Sequence, residues 1–229
     1  VRALGVDAAG KRGWAGVVID DDGFVSAHIA VTLTELMGLV DAGGPVDAVG
    51  IDIPIGLVAA ARRAADVAAR AYVGPRGPSV FPAPHPAVVH LDDYDEVNRL
   101  LRGMGLAAMS KQGFGLFARI REAALLAVDP RVIEVFPEAS FCALGGAHLR
   151  SSKKTWNGGH ERLRLLAAAE PSIVLPADLG PAGSVPTDDV FDAAAGAWSA
   201  LRHAHGRAIA LGDPDEVDRV TGRRIAVWV

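Results

Sequence analysis

Val46-Asp47-Ala48-Val49-Gly50-Ile51-Asp52-Ile53, closed by Pro54, is the stretch on which the fold turns. A nearly unbroken apolar run of this kind is the pattern of a strand covered on both faces, as in a sheet held between helices. Upstream, Arg2–Asp7, Gly13–Asp20 and Phe24–Val31 read as three further strands, and Asp20-Asp21-Asp22-Gly23 is a hairpin signal between the last two. Leu33, Leu36, Met37 and Val40 then recur at helical spacing behind Thr32 or Thr34 as the cap, and Gly43-Gly44-Pro45 ends that helix. The opening is therefore β-β-β-α-β. A meander followed by a crossover helix sets the fourth strand parallel to one of the first three, most simply beside the first.

Farther along, Leu57–Tyr72, Asp92–Met104 and Ser110–Val128 read as helices, with a proline-rich irregular stretch over Gly74–Pro86. Arg131–Phe136 returns as a strand, and Pro137–Leu149 and Gly159–Ala169 as helices. Asp188–His205 is a closing helix stopped by Gly206, and Ile225–Val229 an edge strand. The fold class expected is α/β, a single domain over residues 1–229. It has a mixed sheet, helices on both faces and a helical insertion at about 57–130.

The 229 residues are 50% hydrophobic and 22% charged, a globular rather than disordered or collagen-like composition. With 23 Lys and Arg against 27 Asp and Glu the formal charge is -4, which lacks the basic excess usual in a duplex binder. No apolar run reaches the ~18 residues of a membrane span and no leader opens the chain, so the reading is cytoplasmic without membrane contact. Cys142 is the lone cysteine and cannot form an internal disulfide. The histidines show no zinc-ligand spacing.

Acids stand where local structure alone would not choose them. Asp7 ends the first strand and Asp52 lies in the fourth, and aspartate is a poor strand former. In parallel neighbours about 4.8 Å apart both emerge at one end of the sheet. Asp189 and Asp192 are one helical turn apart at the start of the closing helix, where the helix dipole favours carboxylates. Glu134 in the fifth strand, with Glu138 nearby, is a further candidate. Taken singly, each acid also reads as an ordinary turn, cap or surface residue. Converging carboxylates repel unless a cation neutralises them, and Mg²⁺ or Mn²⁺ takes oxygen ligands. Asp7, Asp52 and Asp192 are the expected metal ligands, with Asp189 and Glu134 in support.

These residues resemble the ribonuclease H-like superfamily, particularly its RuvC/YqgF-type resolvase branch. The whole chain is similar to the family called domain of unknown function 429, described as predicted nucleases of that fold. The resemblance is carried by Gly5-Val6-Asp7, Gly50-Ile51-Asp52-Ile53-Pro54-Ile55-Gly56, Arg63-x-x-Asp66-x-x-x-Arg70 and Gly74-Pro75-Arg76-Gly77-Pro78-Ser79-Val80-Phe81-Pro82. Ser110-x-Gln112, Glu134-Val135-Phe136-Pro137-Glu138, Ser152-Lys153-Lys154-Thr155 and Asp188-Asp189-x-x-Asp192-Ala193 complete it. Phe136 stands where the family often carries histidine, so a histidine-dependent role has no support there. The resemblance implies divalent-metal-dependent hydrolysis of phosphodiester bonds in nucleic acid.

The basic residues offer substrate contacts. Arg63, Arg70 and Arg76 read as a phosphate-holding group facing the acids, although Arg62, Asp66 and Arg70 on one helical stripe also read as a solvated ion-pair ladder. Arg150–Arg164 is the one basic window. Lys153 and Lys154 there read as contacts to a nucleic-acid or other phosphoester substrate, and Trp156 as a stacking platform on a mobile loop. Ser110 reads as a helix cap, since no nucleophile elbow surrounds it. Two other functions fit the same acids: an actin-like or sugar-kinase-like phosphotransferase or ATPase binding nucleotide with Mg²⁺, and a non-catalytic binding module.

Overall fold

The computed structural model describes all 229 residues. Seven strands form one mixed sheet in the order β3-β2-β1-β4-β5-β7-β6. β1 (Arg2–Ala8), β2 (Trp14–Asp20) and β3 (Gly23–Ala30) make an antiparallel meander. The crossover helix α1 (Leu33–Ala42) is entered through a capping box, Thr32 Oγ1 accepting from the Glu35 N–H while the Glu35 carboxylate accepts from the Thr32 N–H. β4 (Ala48–Ile51) then lies parallel to β1, and β5 (Val132–Val135) parallel to β4. The β-β-β-α-β opening and the β1/β4 pairing follow the sequence reading. The C-terminal strand does not: β7 (Val227–Trp228) is interior, and β6 (Ala210–Leu211) takes the edge beside it.

Four helices lie between β4 and β5: α2 (Ala64–Tyr72), α3 (Tyr94–Gly103), α4 (Lys111–Phe114) and α5 (Phe117–Leu126). The helices expected over 57–72 and 110–128 are longer than those found. Residues 57–63 stay non-helical because Arg63 folds back and donates Nη1 to the carbonyls of Ile55 and Gly56. The second is interrupted at Gly115-Leu116. Ser110 does cap, its Oγ accepting from the Gly113 N–H at 3.0 Å. After β5 come α6 (Pro137–Gly145), α7 (Trp156–Ala167) and α8 (Thr187–Ala204). Thr155 caps α7, so Trp156 opens a helix instead of sitting in a loop. No helix is long and apolar enough to cross a membrane.

Alternation along the strands decides which side chains meet. Ala3 and Ala48 pack on the face covered by α6, α7 and α8, whereas Leu4, Val6, Val49 and Ile51 pack on the other with α1 and α5. Two-residue periodicity carries Gly5 and Asp7 along with Ala3, and Gly50 and Asp52 along with Ala48, onto the α8 side. In β5 the same parity assigns Ile133 and Val135 to the α8 side and Val132 to the opposite one. Glu134, in register with Ile51, follows Val132.

Gly5, Gly50 and Gly196 let α8 lie directly on β1 and β4. A Cβ on Gly5 would stand 2.0 Å from the Ala193 carbonyl oxygen and 2.1 Å from the Ala197 nitrogen, both backbone atoms of α8. Gly5→Ala is therefore expected to lower unfolding free energy by about 3 kcal/mol, measured in urea, because a packed helix must move. Gly38→Ala, in α1 with no atom near its added Cβ, is expected to be neutral or to stabilise by about 0.5–1 kcal/mol. Equal effects at the two sites would contradict this account of the α8 contact.

Candidate active site

The C-terminal ends of β1 and β4 and the first turns of α8 bring Asp7, Asp52, Asp189 and Asp192 to one cleft of about 480 Å³. Asp52 lies one residue beyond β4, not inside it, but its N–H still bonds the Val6 carbonyl at 2.9 Å, which holds it beside Asp7. Asp7 and Asp192 are buried, and Asp52 and Asp189 partly so. Asp7 Oδ1 accepts from the Ala8 N–H at 2.7 Å.

One ammonium faces this cluster. Lys153, on the loop between α6 and α7, pairs with Asp192 Oδ2 and lies 3.8 Å from Asp188, which is itself held by Lys154 at 2.5 Å. Asp192 Oδ1 is buried without a hydrogen-bond partner. Burial, then the neighbouring charges of Asp52 and Asp192, pushes Asp7 well above the usual carboxylate range. Burial together with Asp192 pushes Asp52 up to about 8, against the pull of Lys153. Burial raises Asp192 to about 6, again opposed by Lys153. Burial also raises Asp189, helped by Asp188. Lys153 moves the other way from its burial: the three buried-end aspartates Asp192, Asp7 and Asp52 lift it above its ordinary value. Asp188, though partly desolvated, is lowered by Lys154 and Lys153.

Glu134 lines the same cleft and its charge adds to the rise of Asp52, but its carboxylate is committed elsewhere. It occupies the same end of the sheet on the opposite face, and both its oxygens are taken. Oε1 accepts from Arg63 Nη2 at 2.7 Å, and Oε2 from Arg63 Nη1 at 2.8 Å and the Ile55 N–H at 2.7 Å. Arg63 also pairs with Asp66, whose Oδ2 accepts from the Ala83 N–H at 2.9 Å. This triad ties sheet, α2 and the 79–84 wall of the cleft together. Despite burial, Glu134 and Asp66 raise Arg63 above its ordinary value, so it is a fixed cation. Burial outweighs the pull of Arg63 on Glu134, which is raised. Glu138 borders the cleft and is committed in the same way, to the fully buried Arg162 at 2.8 and 2.9 Å.

The remaining basic candidates stand apart. Neither Arg70 nor Arg76 lines the cleft, and Arg70 donates to the Val80 carbonyl. The expected stripe of Arg62, Asp66 and Arg70 is not a ladder either, because Asp66 turns inward to Arg63. Lys154 and Trp156 are exposed outside the cleft lining. The cleft also has an apolar wall, containing Phe81, Pro82, Pro84, Leu116 and Phe136, that sequence reasoning did not assign. Its available signal was an apolar Val80-Phe81 pair inside a proline-rich stretch without helical or strand periodicity.

As the side chains stand, no group of three or more His, Cys, Asp or Glu is placed to hold a metal ion. The chemistry of the donor set nevertheless suits a hard divalent cation: several carboxylates line one cleft, burial and then mutual repulsion raise the pKa values of Asp7 and Asp52, and one buried oxygen of Asp192 has no partner. Asp7, Asp52 and Asp192 are the residues that would hold it, with Lys153 displaced from Asp192.

Fold and site together define a mixed α/β protein with a carboxylate cleft at the C-terminal ends of parallel strands, a usual place for a ligand site in sheets of this kind. The chain matches, over residues 5–217, the family described as "Protein of unknown function (DUF429)", and it belongs to that family. No curated protein and no solved structure gives a significant match.

Proposed function

We propose that this protein is a ribonuclease H-like, divalent-metal-dependent phosphodiesterase that hydrolyses nucleic acid. The observation that carries the reading is the meeting of Asp7, Asp52 and Asp192 around a single ammonium, with Asp192 Oδ1 left unpartnered. Three carboxylates so placed are too many for one lysine, and burial, together with repulsion at Asp7 and Asp52, holds their pKa values up. Mg²⁺ or Mn²⁺, when bound, supplies Lewis-acid activation of the phosphoryl group and of water.

The chain's own residues divide the remaining work. Asp7 and Asp52 are fixed by neighbouring parallel strands, and Asp192 by the α8 backbone packed on Gly5 and Gly50. Lys153 sits on a loop with a flexible stem, which lets its ammonium leave Asp192 and meet a substrate phosphate oxygen. Asp189, half-buried in the lining of the same cleft, is assigned to orient water. Arg63 and Arg162 hold Glu134 and Glu138 in place at the border of the cleft.

The test is incubation of purified protein with end-labelled single-stranded oligonucleotides in Mn²⁺, Mg²⁺ or chelator. Cleavage with either ion and none with chelator is expected. No cleavage, together with a melting temperature raised by ATP and Mg²⁺ but not by Mn²⁺ alone, would replace this reading with nucleotide-dependent phosphoryl transfer.

A further inference from the structure

The shape and lining of the cleft restrict what reaches the aspartates. About 480 Å³ lies within the range of small-molecule sites, roughly 300–1,000 Å³, whereas a duplex presents grooves and two backbones far larger than such a space. Only Arg63 and Lys153 contribute cations to the lining, and both are bonded to carboxylates. A duplex needs a row of free Lys and Arg to neutralise its phosphates, and the cleft has none. Part of its lining is instead apolar and includes Phe81, Pro82, Pro84, Leu116 and Phe136. Phe81 is 37% exposed and lines the cleft, so its ring is available to a ligand. The exposed Gln112 also lines the cleft, its amide able to give and take hydrogen bonds.

We propose that the cleft takes one unpaired nucleotide, with its phosphate toward Asp7, Asp52 and Asp192 and its base stacked on Phe81. The proposal rests on the metal-dependent reading of the acids and adds the class of occupant. The buried, unpartnered Asp192 Oδ1 marks the polar end of the site, and the open Phe81 ring marks the apolar end. Flat bases stack on aromatic side chains irrespective of sequence. The same chemistry describes a free nucleotide and one nucleotide of a single strand.

The test is equilibrium binding in Mn²⁺ of adenosine 5′-monophosphate, a ten-nucleotide single strand and a blunt thirty-base-pair duplex, with Mn²⁺ affinity measured separately. The mononucleotide and the strand are expected to bind at least about tenfold more tightly than the duplex. Phe81→Ala is expected to weaken both about tenfold, and Phe81→Tyr to restore them. Equal affinity for strand and mononucleotide identifies a free nucleotide as the occupant, and a strand preference above tenfold identifies part of a chain. A duplex bound as tightly as the strand, or Phe81→Ala without effect on either small ligand, overturns the proposal while Mn²⁺ binding leaves the metal-centred reading in place. Absence of Mn²⁺ binding overturns that reading and the proposal with it.

Discussion

Asp52→Asn is expected to reduce Mn²⁺-dependent cleavage by more than about 100-fold while making the metal-free protein more stable at pH 8. The opposite signs are what distinguish a ligand from a structural carboxylate. A capping or ion-paired aspartate contributes stability, and its removal costs about 1 kcal/mol or more. Asp52 instead sits desolvated near Asp192 and has its pKa pushed up to about 8. A folded-state value above the unfolded one means that the folded chain binds the extra proton. Stability from this group is then fully present below the unfolded pKa of about 4 and is lost as pH rises toward 8. Wild-type protein in chelator should therefore unfold progressively more easily between pH 5 and pH 8, by at most about 1.4 kcal/mol per unit. Asparagine removes most of that slope. Urea unfolding across this pH range, with and without Mn²⁺, measures it. A variant that is less stable than wild type at pH 8 would show that Asp52 holds the fold and not an ion.

Arg63→Met is expected to cost about 3–5 kcal/mol of unfolding free energy, the largest loss predicted for any single side chain in the cleft. Methionine conserves much of the volume, so the loss is electrostatic. It leaves Glu134 and Asp66 buried without their shared cation and frees the Ile55 and Gly56 carbonyls. Pairing Arg63→Met with Glu134→Gln should recover much of the loss, because the uncompensated charge is then gone. Glu134→Gln alone should reduce cleavage far less than Asp52→Asn, since Glu134 lies on the other face of the sheet with both oxygens occupied. Abolished metal binding in Glu134→Gln would return Glu134 to the ligand set.

Which parts of this site the sequence makes legible follows from the kind of information each residue carries. Asp7 and Asp52 are readable because each interrupts an apolar strand run, and the order of elements sets β1 beside β4. Asp192 is readable from helical spacing and from the small residues after it. Glu134 lines the same cleft as these acids, but strand parity turns it to the other face of the sheet, where Arg63 takes both its oxygens. Val132 and Glu134 alternate with Ile133 and Val135, but which pair faces α8 depends on the register of β5 against β4. Burial of charge is likewise silent in sequence. Arg63 and Arg162 look like surface cations in Ala/Arg-rich and basic windows, yet each lies inside against carboxylates contributed by residues far along the chain. The sequence places Lys153 at the substrate; its pairing with Asp192 depends on the path of the α6–α7 loop, which no periodicity encodes. Helices in the middle segment are shorter than composition suggests for a related reason. Alanine-rich composition favours helix over 57–63, but the bonds from Arg63 to the Ile55 and Gly56 carbonyls override it.

Anomalous diffraction from Mn²⁺-soaked crystals, recorded at the manganese absorption edge, addresses the carboxylate cleft without relying on a chosen substrate. The account predicts manganese density bridging Asp7, Asp52 and Asp192, with the Lys153 ammonium withdrawn from Asp192. Fully soaked crystals with no manganese there, and Lys153 still bonded to Asp192, would contradict it.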